Sequence, residues 1–408
     1  MVLQGSVVSL SATHVFVEPA HTSKKKLWGI DSIALPYTHL IYALGSHLPD
    51  PLRTPARTKA DGRAWLVAMQ ERIRAARDVI LVGGGALGVE YATDIKSIYP
   101  EKHVTLIHSR KQLLPNFDVR VHDAAHKALT ELGVELVLGE RLALSEGCPM
   151  GSTQSAPVPV TCDSSAPGEG AQAAAEGMCI GNGRRRVRTT TGRELEADML
   201  LLCTGQQPAS SLMAQLSPGS VDASSRLVRV RPTLQVACPE EAVPHTMAPT
   251  APCGDCDCFL DKKADSAERE KLLRDEEGVE CLPNVYAIGD VADAFGALNA
   301  GYQGASHVPH LIAASDAPTA WNMADVAASN ILSQITAPAS PLPARFKPAP
   351  HMLKLSLGVG RMVSQGPPEL DEATGESRPK VEVKEDPLDL GVKGVWGMAG
   401  HGTEDLYL

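Results

Sequence analysis

Apolar and polar positions alternate weakly over the first fifty residues. SVVSL, HVFVEP and the run LPYTHLIYALGSHLPDP read as strands. The period then changes. Over 63–77, Leu66, Met69, Ile73 and Ala76 recur at helical spacing. Val79 to Val82 forms a short apolar strand. Leu87 to Tyr99 follows as a helix with Leu87, Tyr91, Ile95 and Ile98 on one face, stopped by Pro100. HVTLIH is the next strand, and 119–132 is a helix through Val121, Ala125, Ala128 and Leu132, ended by Gly133. VELVLG is a further strand. Strand–helix alternation of this kind predicts an α/β fold with parallel strands and right-handed crossovers.

The rhythm breaks twice. Residues 145–186 are rich in Ser, Pro, Ala and Gly and read as a disordered insertion ending in a basic loop, GRRRVR. RVRTTTGRELEADMLLLCTG then reads as a hairpin with a Gly turn leading into a buried strand. A second break covers 239–281. NVYAIGDVAD follows as a strand ending in Gly-Asp. From 336 the chain opens Pro-rich, and MLKLSLGVGRMVSQG predicts strands of a small extra domain.

Between the Val79–Val82 strand and the next helix stands GGGALG. Gly83, Gly85 and Gly88 match G-x-G-x-x-G. The first glycine permits a tight turn. The second lets a pyrophosphate approach the backbone, and the third lets the helix pack closely on the sheet. Gly84, Ala86 and Leu87 complete the turn, whose free N–H groups at a helix N-terminus favour phosphate. A strand before, an amphipathic helix after, and a second strand ending about twenty residues later give the context this fingerprint needs. At the end of that second strand, where an NAD site carries a carboxylate for the ribose, the chain has His108, Ser109 and Arg110. No acid is there to repel a 2′-phosphate and Arg110 can pair with one, so NADPH is expected to be accepted, alongside NADH.

Four stretches in order resemble one family. LPYTHLIYALGS is similar to the strand that closes the first half of its FAD domain. VILVGGGALGVEYATDI with VTLIHSRKQLLP resembles its NAD(P)H-binding unit, LLLCTGQQPAS its nicotinamide-facing strand end, and NVYAIGDVAD its second FAD motif. The chain thus resembles the two-dinucleotide flavoproteins of the pyridine nucleotide-disulfide oxidoreductase superfamily. The likeness is to the apoptosis-inducing-factor-like and ferroptosis-suppressor-protein-like group, related to type II NADH dehydrogenases.

The resemblance implies a two-dinucleotide-binding, Rossmann-like fold. Its parts are a remnant of the FAD domain over 1–74, an NAD(P)H-binding domain over 75–235, the second part of the FAD domain over 236–335, and a C-terminal region over 336–408. It places the family's first glycine turn, for the ADP half of FAD, upstream of residue 1, so that the FAD domain is incomplete at its N-terminus. It assigns Ala43, Gly45, Gly289 and Asp290 to FAD, Glu90 to the nicotinamide ribose, and Thr204 and Gly205 to the nicotinamide side. Leu44 stands where the family has Thr. The helix AWNMADVAASNIL would approach the flavin.

The net charge of −10 over 408 residues argues against a general nucleic-acid binder. No apolar run approaches the roughly eighteen residues of a membrane span, and the first residues lack a signal-peptide pattern. Nine cysteines without an export signal are expected to be reduced thiols in the cytoplasm. Cys253, Cys256 and Cys258 in CGDCDC stand in a Pro- and charge-rich stretch and read as loop thiols rather than a zinc site. Lys24 to Lys26 reads as a solvated loop. No catalytic side chain and no metal is expected, because hydride chemistry belongs to the cofactors.

Two functions follow. The first is a flavin oxidoreductase passing electrons from NAD(P)H through FAD to a small quinone-like acceptor, with peripheral membrane contact. The second is a non-catalytic NAD(P)H-binding protein that does not hold FAD.

Overall fold

The computed structural model describes residues 2–19, 32–143, 178–180, 184–239, 279–295, 319–338, 340–370, 375–385 and 387–388. It divides into two compact units, Met1–His47 with Gln207–Pro350, and Leu48–Gln206 with His351–Leu408. The cysteines of CGDCDC and the lysines at 24–26 lie outside the described residues.

The second unit is built on a four-stranded parallel sheet in the order Met199–Leu202, Asp78–Val82, His103–His108, Glu135–Leu138. The helices Ala86–Ile98 and Val119–Glu131 make the crossovers, so the predicted α/β alternation is present. Strand residues alternate between faces. Val79, Leu81, Val104 and Leu106 join one core with Val89, Ala92, Val121, Ala125 and Leu129 of the crossover helices. Ile80, Val82, Ile107 and Val137 join a second core with Val187 and Ala197.

Two helix faces differ from expectation. In Lys59–Ala75, capped by the Thr58 side chain, Leu66 is exposed, and Trp65, Met69 and Ile73 meet the core. In Ala86–Ile98, Ile98 is exposed and the buried positions include the smaller Gly88, Val89 and Ala92. Close approach of helix to sheet leaves room for small side chains there, and a count of large apolar residues misses that face.

Residues 184–188 of GRRRVR are not a loop. Arg184–Arg188 is the middle strand of an antiparallel sheet with Met178–Ile180 and Glu194–Ala197. Arg184 pairs with Asp78 at 2.8 Å, Arg186 pairs with Glu196 at 2.6 Å, and Val187 is buried. Ordered structure therefore reaches into the stretch read as a disordered insertion. Paired charge on one face and an apolar residue on the other make a strand of a sequence that looks uniformly basic.

The strands Leu353–Ser356, Arg361–Leu370 and Ser377–Glu385 form an antiparallel sheet. Leu353, Leu355, Leu357 and Val363 enter the same core as the parallel sheet. The predicted C-terminal strands thus exist, within the second unit.

The first unit opens with a meander, Gly5–Leu10, His14–Pro19 and Ile33–Pro36. A second sheet has the order Gln235–Pro239, Val279–Ala287, Leu40–Tyr42. Its last pair is parallel, and its first pair runs into the second predicted break at both ends. The helix Thr319–Thr336 buries Met323 and Ala327 in the core around Tyr286 and Val236. On that helix Asn330 is fully buried, and its amide meets Thr233 O, Ala344 O and Ala344 N at 2.9–3.0 Å, so no polar group there is left unsatisfied.

Candidate functional site

The glycine turn leaves the carboxyl end of Asp78–Val82. Gly83 has φ +118°, and a Cβ there would lie 2.1 Å from Cys203 O. Its N–H donates to Ile107 O at 2.8 Å. Gly85 is the N-cap of Ala86–Ile98 and offers no side-chain cap. A Cβ on Gly85 would meet nothing within 4 Å. A Cβ on Gly88 would stand 1.8 Å from Gly83 O. The three positions thus separate physically. Gly83 and Gly88 close the turn on itself, and Gly85 leaves open space over the uncapped N–H groups of the helix.

Gly84 has a requirement of its own that the spacing did not reveal. A Cβ there would fall 2.6 Å from Leu113 and 2.7 Å from the His108 ring. Its N–H donates to His108 Nδ1 at 3.0 Å, and its carbonyl accepts from Leu114 N at 2.9 Å. His108 is buried, with Nε2 3.2 Å from Gln112 O. Burial holds its pKa below the usual imidazole value. Ser109 and Arg110, just beyond it, are exposed. The structure therefore places His108 beneath the turn and leaves Ser109 and Arg110 at the rim.

Glu90 lies one turn into the helix and is half-buried. Its Oε1 accepts weakly from Ser356 N at 3.4 Å, and the Ser356 hydroxyl donates to Asp94 at 3.3 Å. Burial raises the Glu90 pKa to about 7, the Ser356 N–H opposes that shift, and nearby Asp94 adds to it. Ser356 arrives from far along the chain, and nothing in its local sequence marks it.

Thr204 and Gly205 are exposed beyond Met199–Leu202. Between them and the strand, Cys203 is buried against the turn, and burial pushes its thiol up to about 12. A thiol so held is not a nucleophile at neutral pH.

In the first unit, the pairing of Val285–Ala287 with Leu40–Tyr42 sets two predicted motifs side by side. Ala43 is exposed, and Gly45 O accepts from Ala209 N at 2.9 Å. Gly289 and Asp290 begin a 3-10 turn. The Ser46 hydroxyl donates to Asp290 Oδ2 at 3.1 Å. Ser46 ends the YALGS run, and its service to Asp290 becomes visible only when the two strands pair. Leu44 is exposed.

Residues 2–164 match the family described as pyridine nucleotide-disulphide oxidoreductase. Over 384 residues the chain is 33% identical to Fe-regulated protein 8 of Mycosarcoma maydis, covering 91% of this chain and 70% of that one. The chain belongs to the pyridine nucleotide-disulphide oxidoreductase family. It is also similar to ferroptosis suppressor protein 1 of Homo sapiens, 32% identical over 211 residues, covering 50% of this chain and 47% of the relative. A FAD-dependent oxidoreductase, FVFD30 of Flammulina velutipes, is 26% identical over 237 residues, covering 57% of this chain and 60% of the relative. The chain thus spans about half the length of the second relative and 60% of the third. Family membership assigns the enzyme class, an NAD(P)H-dependent oxidoreductase, and the cofactors FAD and NAD(P)H.

Proposed function

We propose that this chain passes electrons from NAD(P)H through FAD to a small acceptor of quinone type. The observation that carries the nucleotide half is the contrast within the glycine turn. Gly83 and Gly88 are packed to the limit, and the space above Gly85 is open. Backbone N–H groups there meet a pyrophosphate with no side chain between. Gly83, Gly84, Gly85, Ala86, Leu87 and Gly88 form this cradle. Ser109 and Arg110 take the ribose end, and His108 holds the turn from below. Arg110, exposed and with no ion-pair partner among the described residues, favours a 2′-phosphate.

For the flavin, Gly289 and Asp290 are assigned to the ribityl side, with Ala43 and Gly45 on the adjoining strand end. Ser46 fixes one Asp290 oxygen and leaves the other to accept from a hydroxyl. When bound, a nicotinamide and a flavin supply the hydride chemistry. The protein's own tasks are to bind and orient. Glu90, Thr204 and Gly205 are assigned to the nicotinamide end. Cys203 is a buried thiol packed against the turn.

The acceptor class rests on the family resemblance. No helix among the described residues is long and apolar enough to cross a membrane. A cytoplasmic chain that touches the membrane peripherally is part of this reading.

The test is the absorption spectrum of the purified chain, with flavin quantified after denaturation. Flavin near one per chain, bleached by NADPH and recovered on adding a short-chain quinone, is the expected result. A colourless protein that still binds NADPH would replace this reading with a non-catalytic nucleotide-binding one.

A further inference from the structure

Three cations follow the carboxyl ends of two neighbouring parallel strands. Arg110 and Lys111 follow His103–His108, and Arg141 follows Glu135–Leu138. All three are exposed, and none has a carboxylate partner among the described residues. This is unusual in a chain with 48 acidic and 38 basic residues.

The two strand ends are tied to each other. Gly139 N donates to Arg110 O at 3.1 Å, and Glu140 N donates to His108 O at 3.1 Å. The Lys111 side chain lies over Gly139, 3.7 Å from where its Cβ would be. Arg141 is fixed in turn, since its carbonyl accepts from Thr190 N at 2.8 Å. The one acid in this turn, Glu140, is already engaged. It accepts from the Thr191 hydroxyl at 2.6 Å and faces Arg193 at 3.5 Å. The rim therefore keeps its positive charge.

We infer that Arg141, with Lys111, is a second determinant of nucleotide choice, completing with Arg110 a 2′-phosphate site that spans two strand ends. The inference rests on the nucleotide site proposed above. In a glycine-turn fold the adenosine ribose falls at the end of the strand after the turn, here Ser109–Arg110. The 2′-phosphate adds a doubly charged group at that point, and the next strand end is Arg141. A guanidinium can grip it through paired N–H donors, and the ammonium of Lys111 adds field without geometry.

The experiment is equilibrium titration of the full chain with NADPH, NADH, and adenosine 2′,5′-bisphosphate against AMP, at one ionic strength. Wild type, Arg110→Ala, Arg141→Ala, Lys111→Ala and Arg141→Lys are compared. Arg141→Ala is expected to weaken NADPH and the bisphosphate about tenfold and to leave NADH and AMP within about twofold. Lys111→Ala has a smaller effect of the same kind, and Arg141→Lys restores part of the loss. If Arg110→Ala costs NADPH tenfold while Arg141→Ala changes nothing, the second determinant is wrong and the Arg110 reading stands. If wild type binds NADPH no better than NADH and Arg110→Ala is silent, the 2′-phosphate reading falls and this inference with it. An equal loss of NADH and NADPH in Arg141→Ala would make Arg141 a structural residue and overturn its role in choice.

Discussion

The N–H of Gly84 donates to Nδ1 of His108 at 3.0 Å, across the foot of the glycine turn. That bond needs a bare Nδ1, so the proton sits on Nε2, which faces Gln112 O at 3.2 Å. A second proton would set two donors against each other.

His108 accordingly resists protonation, and burial lowers its pKa from the usual 6.5. A lowered imidazole contributes no penalty above 6.5. As pH falls below it the unfolded chain takes a proton that the folded chain refuses, so stability drains away. We expect the melting temperature to drop from pH 7 toward pH 5 by more in wild type than in His108→Asn, whose amide oxygen replaces Nδ1. His108→Ala should cost about 1–3 kcal/mol at pH 7 by stranding the Gly84 N–H. Parallel pH dependence in wild type and His108→Asn would show that His108 is not the titrating group.

Gly85 and Gly88 should part company on substitution. Gly88→Ala drives a methyl to 1.8 Å from Gly83 O, so the helix must move, and we expect a loss of several kcal/mol or failure to fold, on the order of other overpacked sites. Gly85→Ala meets nothing within 4 Å and should fold with nearly the wild-type melting temperature, yet lose NADPH binding by about a hundredfold, because the methyl occupies the phosphate's path. Thermal melts beside nucleotide titrations check both. A Gly85→Ala protein that binds NADPH normally would remove the pyrophosphate from this turn.

The Glu90 shift runs opposite to that of an ion-paired carboxylate. Burial raises the pKa from 4.5 to about 7. The folded chain then holds a proton the unfolded chain releases, so stability is greatest at low pH and is lost as pH rises from about 4.5 through 7. Glu90→Gln removes that loss. It should stabilise the chain by about 1–3 kcal/mol at pH 8, after allowance for partial solvation, and by much less at pH 5. Chemical denaturation at the two pH values measures the difference. A uniform effect at both would point to lost packing instead.

Much of the second unit could be read from the chain because its signals are local. Gly133 ends the helix Val119–Glu131 with φ +74°, as its place after a periodic run implies. The alternation of strand and helix fixes parallel pairing, since a crossover helix leaves the strand no antiparallel route. What escaped depended on partners remote in sequence. Arg184 reads as loop until Asp78 and Asp198 are brought to it. Ser356 reaches Glu90 across 266 positions.

The sequence by itself determined where the turn lies, which strands flank it, and the places of Gly83 and Gly88 in it, because backbone conformation acts over a handful of residues. Only the tertiary structure decided what surrounds them. It put His108 under the turn and not at its rim, set Ser46 against Asp290, tied Glu90 to Ser356, and joined Arg110 to the strand end carrying Arg141. Burial and hydrogen-bond partnership are properties of assembled strands and helices, and no local pattern encodes which distant side chain will complete them.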